Sequence, residues 1–191
     1  MAGKQAKTLT RAQLTAALKQ ASGGRYGVRN RVIFLLSTKA GLRAGEIAKL
    51  TWPMLLGPDG SLAAHVDLHD VAAKKRSGRQ IPIHPDLRRA LLMLQRLSNT
   101  SAYVVTSERG GQLRPNSIVN WFKDLYAELG YAGCSSHSGR RTFITTAARL
   151  VGRVGGSLRD VQQLAGHRSI EQTQAYIDSY ALAKRRLIDL L

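Results

Sequence analysis

The sequence predicts a mainly α-helical chain that is interrupted once by a small three-stranded antiparallel β-sheet. Two observations favour this fold class. Apolar residues recur at helical spacing through most of the 191 residues. Residues 55–84 instead contain short extended runs that are separated by turn-forming residues. Because 43% of the residues are hydrophobic, the chain can bury one core, and its length is that of a single domain.

Local signals near the start of the chain predict three helices. Thr10 and Gln13 have the spacing of a capping box, which satisfies free N–H groups where a helix begins. Gly41 suits the left-handed residue that commonly follows the end of a helix. A loose basic arm over residues 1–9 is predicted to precede helices over about 10–21, 28–39 and 43–50.

The three strands are predicted between these helices and the next helical region. A Pro-Asp-Gly turn at 58–60 separates two extended runs. Pro82 lies in the third run, and because proline lacks an N–H donor, this run is predicted to be an edge strand. The predicted strands cover residues 55–57, 61–68 and 80–84.

Helices are predicted again from residue 85 to the end of the chain. Pro85 and Pro115 suit the first turn of a helix, and Gly130 suits the end of one. The first of these helices is expected to bury Leu87, Leu91, Leu92 and Leu94. The predicted helices cover about 85–98, 115–129, 137–151, 157–165, 169–178 and an amphipathic C-terminal tail over 180–191.

Charge and cysteine content narrow the possible functions. Lys and Arg number 29 against 12 Asp and Glu, so the net charge is +17 and a polyanion such as DNA is the expected partner. A single cysteine, Cys134, excludes a disulfide scaffold and a zinc finger. No apolar run approaches the roughly 18 residues of a membrane span, and no secretory signal is evident. We therefore expect a cytoplasmic protein without a membrane partner.

Two pairs of charged residues lie at predicted helix starts with a spacing of three. His137 and Arg140 would share one helix face where free N–H groups also point, which suits a phosphate. Taken alone, the pair is more simply interpreted as a solvated basic turn. Arg43 and Glu46 form either a surface ion pair or an arginine that a carboxylate holds rigid.

A third motif joins Gly166 and His167 to Tyr176, nine residues later. The glycine would end a helix and expose the histidine, while the tyrosine lies in a predicted helix. Taken alone, Tyr176 is more simply a core or surface aromatic residue than a nucleophile. His65 and His69 do not predict a metal site, because on a strand they lie about 13 Å apart. We expect no metal and no cofactor.

Taken together in this order, Arg43, His137, Arg140, His167 and Tyr176 resemble the tyrosine recombinase family, also called phage-type integrases. The resemblance covers about residues 10–180 and implies the catalytic-domain fold of that family. The family also carries a lysine eight residues before a strand proline. Counting back from Pro82 gives Lys74, with Lys75 as the alternative.

The resemblance implies cleavage and rejoining of double-stranded DNA through a covalent 3′-phosphotyrosyl intermediate. Tyr176 would be the nucleophile, and His137 the base or proton relay. Lys74 would protonate the leaving oxygen, and Glu46 would position Arg43. The groups expected to stabilise the phosphate are Arg43, Arg140 and His167, and those expected to contact DNA are Lys75, Arg76, Arg79 and Arg141.

The resemblance also has limits. Most members carry a separate N-terminal core-binding domain, whereas residues 1–191 are expected to form a catalytic domain alone, either naturally, as in fimbrial phase-switch invertases, or because a domain was trimmed. Gly139 stands where the family often has leucine, and we expect this difference to be tolerated.

The implied setting is a bacterial or phage-encoded, nucleoid-associated protein that assembles as a dimer or tetramer on DNA, with possible accessory DNA-bending proteins. The tail over 180–191 would pack either on a neighbouring protomer or on its own domain. A non-catalytic DNA-binding regulator and a type IB-like topoisomerase remain the alternative functions.

Overall fold

A computed structural model of the protein describes residues 5–70, 72, 78–97, 101–176 and 188–189. The first three helices are α1 (Arg11–Ala21), α2 (Gly27–Lys39) and α3 (Ala44–Lys49), and the two strands are β1 (His65–Leu68) and β2 (Arg79–Pro82). The later helices are α4 (Pro85–Leu97), α5 (Pro115–Glu128), α6 (Ser138–Leu150), α7 (Leu158–Ala165) and α8 (Ile170–Gln174). Two short 3-10 helices, Trp52–Met54 and Val151–Val154, complete the set in the described ranges.

The mainly helical class and the position of the sheet are confirmed, but the number of strands is corrected from three to two. Among the described residues, β1 and β2 pair antiparallel, with Val66 opposite Ile81. The segment expected to be the first strand forms one isolated bridge, Leu56 to Leu62, because a tight turn brings the Gly57 N–H to the Ser61 carbonyl at 2.8 Å. The chain therefore reverses before a third strand can extend.

The core is built around α2, which packs against α1, α3, α4 and α6. A continuous run of α2 is buried, from Val32 to Leu36. The expected burial of α4 holds for Leu87, Leu91 and Leu94, but Leu92 is 38% exposed. It differs because it follows Leu91 directly, and one residue along a helix rotates the side chain by about 100° off the apolar face.

The ends of the chain differ from the sequence-based picture in two places. The arm is partly fixed, because Leu9 is buried and its N–H donates to the Thr142 hydroxyl at 2.8 Å. The Lys7 N–H donates to the Gly133 carbonyl at 3.1 Å. Helix α8 is shorter than the expected 169–178, and the tail expected over 180–191 lies outside the described residues except for 188–189.

A second, smaller apolar cluster lies apart from the main core and supports the end of the described chain. Ile144 from α6 packs there with Val161 and Ala165 from α7. The side chain of Tyr176 lies against this cluster. The packing of α6 on α7 thus provides the apolar surface on which Tyr176 lies.

Candidate active site

The residues singled out from the sequence lie at the ends of helices that converge on one region. Arg43 caps α3, His137 caps α6 and Arg140 lies in the first turn of α6. His167 follows α7, and Tyr176 follows α8. The expected Lys74, together with Lys75 and Arg76, lies outside the described residues.

Glu46 is the buried carboxylate at the centre of the region. It is 1% exposed, and it accepts hydrogen bonds from the Arg43 side chain at 2.7 Å and from the Arg43 backbone N–H at 2.9 Å. Arg79 Nη2 donates to the same carboxylate at 3.1 Å. Burial by itself raises the pKa of Glu46, but the hydrogen bonds and charges of the two arginines outweigh it and lower the pKa. The Arg43–Glu46 pair is therefore held at a buried carboxylate and is not a surface ion pair.

Arg140 is 3% exposed, so a solvated basic turn is excluded as its environment. Its Nη1 donates to the Gly41 carbonyl at 2.5 Å and its Nη2 to the Ala165 carbonyl at 2.7 Å. Gly41 adopts a left-handed conformation (φ 65°), and a Cβ there would collide with the Phe143 ring. Burial first, and then the charge of Arg43, lower the pKa of Arg140 to about 10, so the guanidinium remains charged at neutral pH.

His167 is oriented by the residue before it and by one hydroxyl. Gly166 ends α7 in a left-handed conformation (φ 62°). The chain turns there, and His167 lies near Arg140 and Arg43. The His167 Nδ1 lies 3.0 Å from the Thr173 Oγ1, and Thr173 is fully buried. Burial first, and then the charges of Arg140, Arg43 and Arg79, lower the pKa of His167 to about 4. The ring is therefore neutral at pH 7 and can donate one hydrogen bond without adding a charge.

The Tyr176 ring contacts the side chains of His167 and Arg141. It stacks on the His167 ring with a centroid separation of 5.4 Å, and the Arg141 guanidinium lies 5.5 Å from its centroid. Tyr176 is also close enough to Arg140 to influence the arginine's pKa. Tyr176 and the buried Arg140 also line one cavity.

An open cavity of about 500 Å³ lies over these groups. His137, Arg140, Arg141 and Tyr176 line it, together with Gln5 from the arm. His137 also lines a neighbouring cavity of about 400 Å³ that contains Arg43 and Glu46. Three arginines surround the single carboxylate of Glu46, so an anion is the ligand that this charge distribution favours.

Arg79 is among the residues expected to contact DNA, but its side chain is 6% exposed and ion-paired with Glu46. Its burial follows from the strand period, because Arg79 and Ile81 lie on the same face of β2. Ile81 is fully apolar and buried. That alternation was the one signal in the sequence that could have indicated an inward-facing arginine.

The described residues show neither a metal-binding cluster nor a membrane span. No group of three or more His, Cys, Asp or Glu side chains in the described ranges could hold a metal ion. His65 lies on β1 and is exposed, as is His69 just after it. Within the same ranges, no helix combines the length and the apolar character needed to cross a bilayer.

Comparison with known proteins identifies the family. A model described as the phage integrase family matches residues 7–182. A tyrosine recombinase XerC from Mesorhizobium japonicum is 32% identical over 154 residues, which cover 78% of this chain and 46% of that protein. The chain thus spans about half the length of the curated relatives it matches.

Solved structures share the fold at lower sequence identity. The crystal structure of XerA recombinase has a TM-score of 0.76 at 23% identity and covers 96% of this chain and 64% of that one. The Tn1549 transposon integrase, in complex with a circular intermediate DNA, has a TM-score of 0.76 at 17% identity. The match covers 100% of this chain and 67% of that one. The expected catalytic-domain fold of tyrosine recombinases is therefore confirmed. The family model and the curated relative show that this chain belongs to the phage integrase family.

Proposed function

We propose that this chain is a site-specific DNA recombinase that cleaves and rejoins DNA through a covalent 3′-phosphotyrosyl intermediate. The observation that carries the proposal is the arrangement of Tyr176, stacked on His167 and facing a cavity that it shares with Arg140. A nucleophile, a buried cation and a neutral hydrogen-bond donor are the groups that transfer of a phosphodiester requires. Family membership supports the same conclusion.

The proposed role of Arg43, Arg140 and His167 is to stabilise the transition state. Negative charge accumulates on the non-bridging oxygens of the phosphate during the transfer. Arg140 and Arg43 are held in place before DNA arrives, by backbone carbonyls and by Glu46 respectively, so little reorganisation is needed. Removal of one such preorganised donor costs about 10²–10³ in rate.

We propose a proton path that uses His137 and Lys74. The Tyr176 oxygen attacks phosphorus, its proton passes to His137, and the bond from phosphorus to the 5′ oxygen breaks. His137 suits this task because it lines the same cavity as Tyr176. Lys74 supplies the proton that the leaving 5′ oxygen needs. A 5′ hydroxyl from a partner strand then attacks the phosphotyrosyl ester and restores the tyrosine, so no external energy source is consumed.

Exchange between two DNA molecules requires at least two cleaved strands, and hence at least two protomers on the DNA. We accordingly propose self-assembly on double-stranded DNA. Lys75, Arg76 and Arg141 are proposed to contact the phosphate backbone, in keeping with the net charge of +17. A cytoplasmic, nucleoid-associated location and accessory DNA-bending proteins belong to the same proposal.

The test uses linear duplex fragments from the DNA that flanks the gene, each with a nick that lets the short cleaved piece diffuse away. Wild-type protein is expected to form a denaturant-resistant, protease-sensitive adduct. Y176F is expected to abolish the adduct while DNA affinity stays within about threefold, because only the nucleophilic oxygen is lost. Y180F is the matched control, since it removes the hydroxyl of the tyrosine four positions later in the sequence.

Three outcomes would redirect the proposal. An adduct that persists in Y176F would exclude Tyr176 as the nucleophile. Binding without any adduct from the wild-type protein would favour a non-catalytic regulator. Relaxation of supercoiled plasmid without strand exchange would favour a type IB-like topoisomerase.

A further inference from the structure

Arg79 is a buried arginine at the start of β2 that joins two separate parts of the active site. Its side chain is 6% exposed, although β2 belongs to a two-stranded sheet at the periphery of the helices. Its guanidinium reaches Glu46 of α3, which is 33 positions away in sequence. It also reaches the end of α7, which is 85 positions away.

The contacts of Arg79 are those of a bidentate clamp. Nη2 lies 3.1 Å from Glu46 Oε2 and Nη1 lies 3.3 Å from Glu46 Oε1, which is the parallel geometry that a guanidinium and a carboxylate favour. Nε donates to the Leu164 carbonyl at 2.9 Å. The side chain also packs on Gly166, where a Cβ would lie 2.7 Å from Nη1.

These contacts connect Arg79 to two groups of the proposed mechanism, Arg43 and His167. Through Glu46 it fixes the carboxylate that holds Arg43 at 2.7 Å. Through Leu164 and Gly166 it fixes the turn that presents His167. The two terminal nitrogens of its guanidinium face the Glu46 carboxylate, and Nε faces the Leu164 carbonyl.

We propose that Arg79 is a positioning residue that locks the Glu46–Arg43 pair and the Gly166–His167 turn into one rigid arrangement. The inference rests on the proposed function for its kinetic consequence. Displacing a reacting group by about 1 Å can cost about 10² in rate, so loss of the clamp slows the chemical step while leaving DNA binding largely intact.

A direct contact between Arg79 and DNA is the competing assignment, and salt dependence separates the two. Each lysine or arginine that neutralises a phosphate contributes about 0.9 to the slope of log K against log salt concentration. Loss of a positioning residue leaves that slope unchanged, whereas loss of a phosphate contact reduces it by about 0.9.

The experiment compares R79M with R88M in the full chain. Arg88 is the matched control, because it is also a partly buried arginine that donates to two backbone carbonyls, those of Ala63 and Leu62, each at 2.7 Å. In single-turnover adduct formation, R79M is expected to be about 10- to 100-fold slower than wild type, and R88M within about twofold. The slope of DNA binding against salt is expected to be the same in all three proteins.

A third variant and a double mutant test the route through Glu46. R79K keeps the charge but not the planar fork, so its rate is expected to lie between those of wild type and R79M. If Arg79 acts through Glu46, the rate losses of R79M and E46Q are less than multiplicative in the double mutant. Multiplicative losses, an unchanged rate in R79M, or a salt slope reduced by about 0.9 would each overturn the proposal.

A measurement without DNA keeps the inference separate from the proposed function. The pKa of His167 is lowered by burial and by the charges of Arg140, Arg43 and Arg79, so its proton titration by NMR reports on the clamp. R79M is expected to raise this pKa, whereas R88M is not. If the wild-type protein forms no adduct, the recombinase proposal fails, and an equal His167 pKa in wild type and R79M overturns the positioning role.

Discussion

Gly139 offers a sharp test of the packing that places Arg140. It lies in the first turn of α6, where α6 crosses α2 at close range. A Cβ built at residue 139 would lie 3.0 Å from the Thr38 methyl carbon and 3.1 Å from the Ser37 Cβ, and it would collide with the Ser37 hydroxyl. Glycine in place of the leucine that is common in the family is expected to be tolerated, and it fits against α2 here, whereas one added carbon would force the Ser37 and Thr38 side chains to move.

The magnitude of the effect follows from two opposing contributions. Overpacking a buried helix contact costs about 1–3 kcal/mol. Replacing glycine by alanine inside a helix returns about 0.5–1 kcal/mol, because the unfolded chain loses conformational freedom. From the midpoints of these two ranges, G139A is therefore expected to lower the free energy of unfolding by about 1 kcal/mol. G139L adds three more carbons at the same contact and is expected to lose more.

Urea denaturation measures this difference, with G45A as the control. Gly45 lies in α3, and a Cβ there would meet no atom within 4 Å, so G45A is expected to stabilise the protein by up to about 1 kcal/mol. Because α6 must shift to accommodate the alanine at 139, adduct formation by G139A should slow as well. A G139A protein as stable as wild type, alongside a stabilised G45A, would refute the packing argument.

Two further predictions concern buried polar groups. The pKa of His167 is about 4 in the folded protein, against an ordinary value of 6.5. The unfolded chain therefore binds more protons between these values, and the free energy of unfolding should fall as pH is lowered from 6.5 to 4. H167Q should show a shallower fall in urea denaturation across that range, and parallel curves for the two proteins would contradict the buried environment of His167. The Tyr126 hydroxyl is buried without a hydrogen-bond partner among the described residues, and burial raises its pKa strongly. Y126F is accordingly expected to be as stable as wild type or up to about 1 kcal/mol more stable, and a loss beyond about 1 kcal/mol would show that the hydroxyl is satisfied.

Helix boundaries were the part of the fold that sequence could predict well. The capping box of Thr10 and Gln13 forms as expected, and Pro115 opens α5 within its first turn. Gly41 and Gly130 both adopt the left-handed conformation that follows a helix end. These features depend on hydrogen bonds and torsions within a few residues, so neighbouring letters of the sequence suffice to predict them.

The third strand and the burial of Leu92 were wrong because both depend on tertiary context. A short extended run becomes a strand only when a partner continues beside it, and beside the turn at Gly57 the pairing is limited to the single Leu56–Leu62 bridge. An apolar residue at the border of a helical face is buried only if another element covers it. Neither condition can be deduced from local periodicity.

By itself, the sequence determined the class of fold, the family and the set of charged and aromatic side chains from which a site could be built. Only the tertiary structure decided which of them are buried together, because burial follows from contacts across large separations, such as the 99 positions between Arg140 and the Gly41 carbonyl. The same packing buries Arg79, one of the expected DNA contacts, against Glu46. A guanidinium shielded from water is held by whichever carboxylate the fold brings to it, and the order of residues along the chain does not specify that carboxylate.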